Sequence, residues 1–325
     1  MTIAWQACCD FQLLRLRAQM LQAIRTFFFE RDVLEVETPL LSQASGTDPQ
    51  LDFFSTVYRL PPIKQPLFLQ TSPEFAMKRL LASGSGAIFQ ICKAFRNGEV
   101  GRFHNPEFTM LEWYRPGFDL ADLMDEITAL FALLFTEHAL QATQRVSYQA
   151  VFKHYTGLDP LVFSYVDYCA YALANALPEA ISLCGNDQAL WLDFIFSHQV
   201  QPHLGRQALC LVYNFPACQS SLARTHSKDS RVVERVELFL EGVELGNGYY
   251  ELTDVTEQEW RFNKEAHQRQ QRSLPASVKD ERLLAALSAG LPDCSGVAIG
   301  IDRLLMLVSG RSSIRDVLAF PVDRA

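Results

Sequence analysis

Residues 104–114 have the sequence His-Asn-Pro-Glu-Phe-Thr-Met-Leu-Glu-Trp-Tyr, and the second half of this segment predicts a β-strand. Successive side chains of a strand point to opposite faces, so Phe108, Met110, Glu112 and Tyr114 share one side. A glutamate among apolar neighbours would cost on the order of several kcal/mol if nothing paired with it. The strand pattern alone therefore leaves Glu112 unexplained.

The segments around this strand predict an α+β fold. Helices interrupt the strands at irregular intervals, and the strands alternate faces instead of forming uniformly apolar runs. Both features favour an antiparallel sheet flanked by helices over a doubly wound parallel sheet. Residues 59–66 contain three prolines and predict a loop. The predicted helices cover residues 11–29, 74–81, 120–138 and 256–290 and begin again at 302, and the predicted strands cover residues 33–37, 67–69, 87–95, 107–114, 231–252 and 297–301.

Length and composition are those of an ordinary globular protein. The chain has 325 residues, 49% of them hydrophobic and 20% charged, and we expect one domain over residues 1–325 with a mainly helical insertion at about 140–210. No apolar run reaches about 18 residues, so the sequence predicts no membrane span. Residues 1–10 lack a basic stretch followed by an apolar run, so we expect no signal peptide and a cytoplasmic location. The net charge of −8 argues against broad binding to nucleic acid.

Three further segments occur in a fixed order along the chain. Residues 11–39 hold a long amphipathic helix, a short strand and a proline; residues 95–114 hold Phe-Arg-Asn-Gly-Glu, a loop and the strand described above. Residues 296–304 have the sequence Gly-Val-Ala-Ile-Gly-Ile-Asp-Arg-Leu. In order and spacing they resemble motifs 1, 2 and 3 of class II aminoacyl-tRNA synthetases. Residues 104–114, 71–74 and 242–248 are similar to the lysyl branch. The resemblance covers nearly the whole chain and implies a single class II catalytic core that dimerises through the motif 1 helix.

Two arginines suit the chemistry that the resemblance implies. In amino-acid activation a carboxylate attacks the α-phosphate of ATP, and negative charge must be neutralised. The fork of Arg96 matches phosphate oxygens, and the resemblance assigns it to the α-phosphate. Arg303 lies at a strand-to-helix junction, where an anion is favoured, and the resemblance assigns it to the γ-phosphate. Either arginine alone would be explained by a surface ion pair. The residues implied for catalysis are Arg96 and Arg303, and those implied for ATP binding are Arg96, Gly98, Glu99, His104, Asn105, Glu244, Leu245, Gly300 and Arg303.

Two glutamates flank a glycine-rich bend and suggest a metal ion. Magnesium is usually held by one or two carboxylates together with phosphate oxygens. Glu244 and Glu251 would provide such carboxylates, and the resemblance implies that they bind Mg²⁺ with ATP. Without the resemblance, a pair of solvated glutamates at a strand edge would explain them equally well.

The amino-acid site implied by the resemblance is acidic. A lysine-like substrate carries two ammonium groups, which need paired carboxylates in a partly dry pocket. Glu112 and Tyr114 are implied to hold the side-chain ammonium group, and Glu74, beside Ser72, the other amine. The complete set of residues implied for substrate binding is Ser72, Glu74, Glu112, Tyr114, Glu251 and Ala298.

Two departures from lysyl-tRNA synthetases change the expected substrate. Motif 1 begins at Phe11, so we expect no anticodon-binding domain and no anticodon-dependent tRNA binding. Ala298 replaces a motif 3 glycine, and a methyl group on the wall of a close-packed site should alter amino-acid preference. This pairing resembles the elongation factor P–(R)-β-lysine ligases. It implies activation of (R)-β-lysine and its transfer to a lysine side chain of elongation factor P.

A third departure lies in motif 2. The family pattern Phe-Arg-Asn-Glu, whose glutamate positions the adenine end of ATP, is here interrupted by Gly98, and a glutamate follows at position 99. Either Glu99 substitutes after a backbone shift that Gly98 permits, or this contact is lost. Two other functions stay open: an enzyme that passes its adenylate to a small molecule or tRNA, and a non-catalytic regulatory paralogue.

Overall fold

The computed structural model describes residues 5–325. Over this range the helices are α1 (Phe11–Phe29), α2 (Glu74–Ala82), α3 (Leu120–Leu134), α4 (Tyr148–Thr156), α5 (Tyr165–Ala174), α6 (Glu179–Cys184), α7 (Gln188–Ile195), α8 (Val255–Gln271), α9 (Glu281–Gly290) and α10 (Ile301–Val308). The strands are β1 (Leu34–Glu35), β2 (Leu41–Ser42), β3 (Ser55–Leu60), β4 (Ile63–Leu69), β5 (Ile88–Phe95), β6 (Glu107–Pro116), β7 (Gln141–Ser147), β8 (Ala208–Pro216), β9 (Val232–Leu240), β10 (Val243–Tyr250) and β11 (Cys294–Gly300).

The described residues form two compact units. The first comprises residues 5–119, 133–135 and 253–325, and the second comprises residues 120–132 and 136–252. No helix within residues 5–325 is both long and apolar enough to cross a membrane. The single-domain organisation stays a prediction.

The first unit is built on four strands in the order β1-β5-β6-β11. β5 and β11 each pair with β6 in the antiparallel sense, whereas β1 pairs with β5 in parallel. α1 begins after Asp10, whose carboxylate accepts the N–H of Leu13 at 2.7 Å, as the sequence predicts for an N-cap. Phe28 of α1 stacks on Phe89 and contacts Trp113, so α1 packs near the sheet face that carries the odd-numbered residues of β6. The even-numbered face of β6 carries Glu112.

The prediction of a loop over residues 59–66 is wrong. β3 and β4 form an antiparallel hairpin whose turn contains Pro61 and Pro62, and β2 completes a three-stranded sheet. Pro66 lies inside β4, opposite Val57 of β3. β2 pairs with β4 only at Leu69 and Phe68, so at Pro66 one side of β4 has no neighbouring strand. A proline lacks the N–H of a strand residue, and this open side tolerates its absence.

The second unit has the strand order β10-β9-β8-β7. β8, β9 and β10 are antiparallel, and β7 pairs with β8 in parallel. A parallel pair needs a long connection, and residues 148–207, which hold α4 to α7, provide it. These helices form a buried apolar cluster with the sheet that includes Tyr148, Phe152, Trp191 and Phe239. The antiparallel prediction is thus confirmed for the inner strands of both units.

Candidate active site

Glu112 lies at the centre of a buried polar cluster in the first unit. Its side chain is 1% exposed, and its two oxygens accept hydrogen bonds from the hydroxyls of Ser72 at 2.8 Å and Tyr114 at 2.7 Å. Burial, followed by the nearby charge of Glu74, raises the pKa of Glu112 to about 8. The cluster therefore combines Ser72, Glu112 and Tyr114, three residues predicted to bind the substrate. An added cation would stabilise the ionised form of the Glu112 carboxylate.

Glu74 is tied to the same cluster and has a cation of its own. Lys78 donates from Nζ to Glu74 Oε1 at 2.7 Å and is only 1% exposed. Ser72 Oγ accepts the N–H of Glu74 at 3.0 Å, so this one hydroxyl contacts both acidic residues. Lys78 was not among the predicted site residues, although its spacing of four residues from Glu74 on a helix is the signal that indicates such a pair.

Ala298 lies directly opposite Glu112 in the ladder between β6 and β11. Residues paired in this way have Cβ atoms about 4.5–5.5 Å apart on the same face of the sheet. Gln90 of β5 is the partner of Glu112 on its other side, is 2% exposed and accepts a hydrogen bond from Thr38 at 3.0 Å. The methyl group of Ala298 thus borders the buried carboxylate.

A second cluster joins the two predicted phosphate-binding arginines. Arg303 Nη2 lies 2.7 Å from His104 Nε2, and its Nε donates to the carbonyl oxygen of Phe103 at 3.0 Å. Glu99 lies 4.0 Å from His104 Nε2 and 3.9 Å from Arg96 Nη1. A chain of four side chains therefore links Arg96 to Arg303.

Gly98 makes this arrangement possible. Its φ of +76° is in the left-handed region, which favours glycine, and no atom lies within 4 Å of where a Cβ would stand. The backbone turns here and brings Glu99 between the arginine and the histidine. The displaced glutamate thus lies in the arginine cluster, while its contact with adenine stays a prediction.

Both clusters lie on the even-numbered face of β6. The guanidinium of Arg96 lies 5.1 Å from the ring centroid of Phe108, and Phe108 shares its face with Glu112. Gly300 is the N-cap of α10, and its lack of a side chain leaves the first helical N–H groups without a side-chain cap. A phosphate held by Arg303 would lie near this helix end.

The side-chain hydrogen bonds of Asn105 go to backbone groups of Glu107 and Val322. Its side chain donates to the carbonyl oxygen of Glu107 at 2.6 Å and accepts the N–H of Val322 at 3.0 Å. It also lines a cavity of about 600 Å³, which extends along Arg17 of α1 and Lys93 on the odd-numbered face of β5. The predicted role of Asn105 in ATP binding stays a prediction.

The predicted magnesium ligands lie in the second unit, and a bulge decides the orientation of Glu244. The register shifts between Glu244 and Gly246, which pair with Phe239 and Leu238, and this shift places Glu244 on the face that carries Glu237 and Asn247. Glu251 follows the end of β10 and forms an isolated bridge with Ala223. Leu245, the extra residue of the bulge, is 1% exposed.

Glu237 of β9 is a functional candidate that the sequence analysis missed. Burial and the nearby charge of Glu244 raise its pKa to about 8, against the lowering effect of Arg235. No group of three or more acidic, histidine or cysteine side chains within residues 5–325 forms a complete metal site. Glu237 and Glu244 carry two neighbouring carboxylates, and such a pair fits Mg²⁺, which takes its remaining ligands from phosphates and water. The alternation of β9 alone does not indicate that Glu237 shares a face with Glu244, because this alignment depends on the bulge in β10.

The whole chain is similar to proteins of one family. Residues 10–324 match the family of class II tRNA synthetases (D, K and N). The elongation factor P–(R)-β-lysine ligase of Pasteurella multocida (strain Pm70) is 46% identical over 323 residues, which are 99% of this chain and 98% of the relative. Proteins of the same name from Salmonella dublin and Salmonella paratyphi B (strain ATCC BAA-1250 / SPB7) are each 46% identical over 326 residues, or 100% of this chain and 99% of the relative. The chain therefore belongs to the class II tRNA synthetase family of the D, K and N type.

Proposed function

We propose that this chain is an ATP-dependent, AMP-forming ligase that activates (R)-β-lysine and transfers it to a lysine side chain of elongation factor P. The relatives that match the full length of the chain carry the name of this activity. The observation that carries the proposal is the buried Glu112, oriented by two hydroxyls and bordered by Ala298. Such a carboxylate suits an amino acid that brings a side-chain ammonium group.

In the first step the carboxylate of the amino acid attacks the α-phosphate of ATP, giving the aminoacyl-adenylate and pyrophosphate. Glu112 and Tyr114 hold one ammonium group of the substrate, and Glu74 the other. Arg96 stabilises the charge that develops on the α-phosphate, and Arg303 holds the γ-phosphate. The acceptor amine then attacks the acyl carbon and releases AMP, so no covalent enzyme intermediate is required. Positioning and charge neutralisation supply most of the acceleration.

Magnesium would be held by Glu244 and Glu251, as the sequence predicts, and we propose that Glu237 adds negative charge beside Glu244. Mg²⁺ neutralises phosphate charge when it is bound with ATP. The support is the common face of Glu237 and Glu244 and the effect of Glu244 on the pKa of Glu237. Gly98, Glu99, His104, Asn105, Leu245 and Gly300 complete the proposed ATP site.

Ala298 is the proposed specificity residue. A glycine at this position would leave space beside Glu112 for a substrate that reaches further into the site. The methyl group removes that space, because a close-packed wall does not absorb an added carbon easily. We propose that this loss of space favours β-lysine, the isomer in which the amine is one carbon further from the carboxylate.

A homodimer formed through α1, a cytoplasmic location and the absence of anticodon-dependent tRNA binding are also parts of the proposal. Support for the dimer comes from apolar side chains exposed at both ends of α1 and on β1. Phe11 is 79% exposed, Phe29 84% and Leu34 57%. Light scattering of the purified chain would measure its mass in solution.

The decisive experiment incubates the chain with ATP, (R)-β-lysine and elongation factor P, followed by mass spectrometry of the acceptor. We expect one lysine of elongation factor P to gain the mass of a β-lysyl group. Parallel reactions replace elongation factor P with tRNA or with small amines. Label on tRNA but not on the protein would contradict the proposal, and so would the absence of pyrophosphate exchange with every lysine isomer.

A further inference from the structure

Arg17 of α1 takes part in a buried ion pair that the chemistry above does not use. Its Nη1 lies 2.6 Å from Asp302 Oδ1, and its Nη2 donates to Thr109 Oγ1 at 2.7 Å. Asp302 Oδ2 accepts the backbone N–H of Thr109 at 2.7 Å. The carboxylate of Asp302 is 1% exposed, so this closed triangle joins α1, β6 and α10 in the interior of the first unit.

Asp302 stands next to Arg303 in the first turn of α10. The triangle therefore fixes the first turn of α10, which carries Arg303, against β6. Arg303 contacts Phe103 and His104, which lie just before β6 in the chain. Arg17 binds Asp302 and Thr109 through separate nitrogens of one planar fork. It therefore fixes the orientation of Asp302 and also balances the negative charge of this carboxylate.

The charges of these residues also matter. Asp302 is a buried anion one residue from the proposed γ-phosphate ligand, and without compensation it would repel a polyphosphate. Arg17 supplies the compensating charge through its 2.6 Å ion pair with Asp302, at a side chain that is 19% exposed. A buried carboxylate that loses the cation paired with it leaves an uncompensated charge in the protein interior.

We propose that Arg17 is a positioning residue for Arg303, acting through Asp302, and that it sets the affinity of the site for the terminal phosphates of ATP. This inference rests on the proposed function only in placing Arg303 at the γ-phosphate. Arg17 itself bonds to Asp302 and Thr109 and lines the cavity of about 600 Å³, whose lining does not include Arg96, His104 or Arg303.

The test compares ATP and AMP binding to the full-length chain by isothermal titration calorimetry. Arg17→Ala removes the fork, and Arg17→Lys keeps the charge but not the second hydrogen bond. The matched control is Arg25→Ala, on the same helix, whose ion pair with Glu35 is exposed. We expect Arg17→Ala to weaken ATP binding by about tenfold or more and AMP binding by less than about twofold, with Arg17→Lys in between. The control should bind both nucleotides like the wild type.

Chemical rescue separates positioning from general damage. Since Arg17 lines an open cavity, methylguanidinium can enter the space that Arg17→Ala leaves, and we expect millimolar amounts to restore ATP affinity. The same addition should not restore Arg303→Ala. Equal losses of ATP and AMP binding, unchanged ATP affinity in folded Arg17→Ala, or failure of the rescue would each overturn the inference. A wild type that bound no ATP would overturn both proposals. A wild type that bound ATP but left elongation factor P unmodified would overturn the proposed function alone.

Discussion

Replacing Glu112 with glutamine should remove amino-acid recognition while leaving the fold intact. Glutamine has nearly the same shape, and its carbonyl oxygen still accepts a hydrogen bond from Ser72 or Tyr114, which now lie 2.8 and 2.7 Å from the carboxylate. What is lost is the negative charge. A buried ammonium group deprived of its anion costs about 3–5 kcal/mol. At about 1.4 kcal/mol per factor of ten, the expected fall in kcat/KM for (R)-β-lysine is roughly 100-fold to 1,000-fold or more.

The assay is ATP–pyrophosphate exchange with varied amino acid and then with varied ATP. We expect the KM for (R)-β-lysine to rise steeply in Glu112→Gln while the KM for ATP stays near that of the wild type. Glu107→Gln is the matched control, because Glu107 lies on the other face of the same strand and pairs with Lys93 at the surface. An exposed pair of this kind contributes at most about 1 kcal/mol. A Glu112→Gln enzyme that kept the amino-acid affinity of the wild type would refute the assignment of Glu112.

Three other outcomes follow from the proposed function. Ala298→Gly should shift the ratio of kcat/KM from β-lysine toward α-lysine by roughly 10-fold to 200-fold, the range for one methyl group in a pocket, and an unchanged ratio would exclude Ala298 as the specificity residue. Glu112 must be ionised to bind ammonium and has a pKa of about 8, so the KM for the amino acid should rise about tenfold for each pH unit below 8. A KM that stayed flat from pH 6 to 8 would contradict this reasoning. Glu237→Gln should raise the Mg²⁺ concentration required for exchange, whereas Glu234→Gln, on the other face of β9, should not; equal effects would remove Glu237 from the metal site.

The sequence predicted those parts of the molecule that depend on local patterns. The alternation of β6 placed Phe108 and Glu112 on one face, and Asp10 marked the start of α1; both predictions are confirmed. The hairpin of β3 and β4 was missed because Pro66 is tolerated only where the neighbouring strand is absent, and this depends on the length of β2. The parallel pairing of β1 with β5 and of β7 with β8 was missed, because the direction of a strand relative to its partner is set by connections of many residues.

The candidate site was predicted least well where strand geometry is irregular. A regular strand would place Glu244 and Asn247 on opposite faces, and only the bulge after Glu244 places both on the face of Glu237. Glu237 therefore became a candidate only in three dimensions. Lys78, in contrast to Glu237, could have been predicted from the sequence. It lies four residues after Glu74 on one helix, and this spacing is typical of an ion pair.

The two acids of the amino-acid cluster differ in what compensates them, and this difference explains how the site would select a lysine-like substrate. Glu74 receives a hydrogen bond from the ammonium group of Lys78. Glu112 receives its hydrogen bonds from hydroxyls, which orient its oxygens without bringing a positive charge. An acid in this state takes up a proton while the site is empty, as its raised pKa indicates, and exchanges it for an arriving ammonium group. An amino acid without a side-chain amine would forgo a charge-assisted hydrogen bond of about 1.5–3 kcal/mol. Selectivity for a second amine thus follows because Glu112 is hydrogen-bonded by hydroxyls, whereas Glu74 is paired with a lysine. This selectivity does not require a tight fit around the aliphatic part of the substrate.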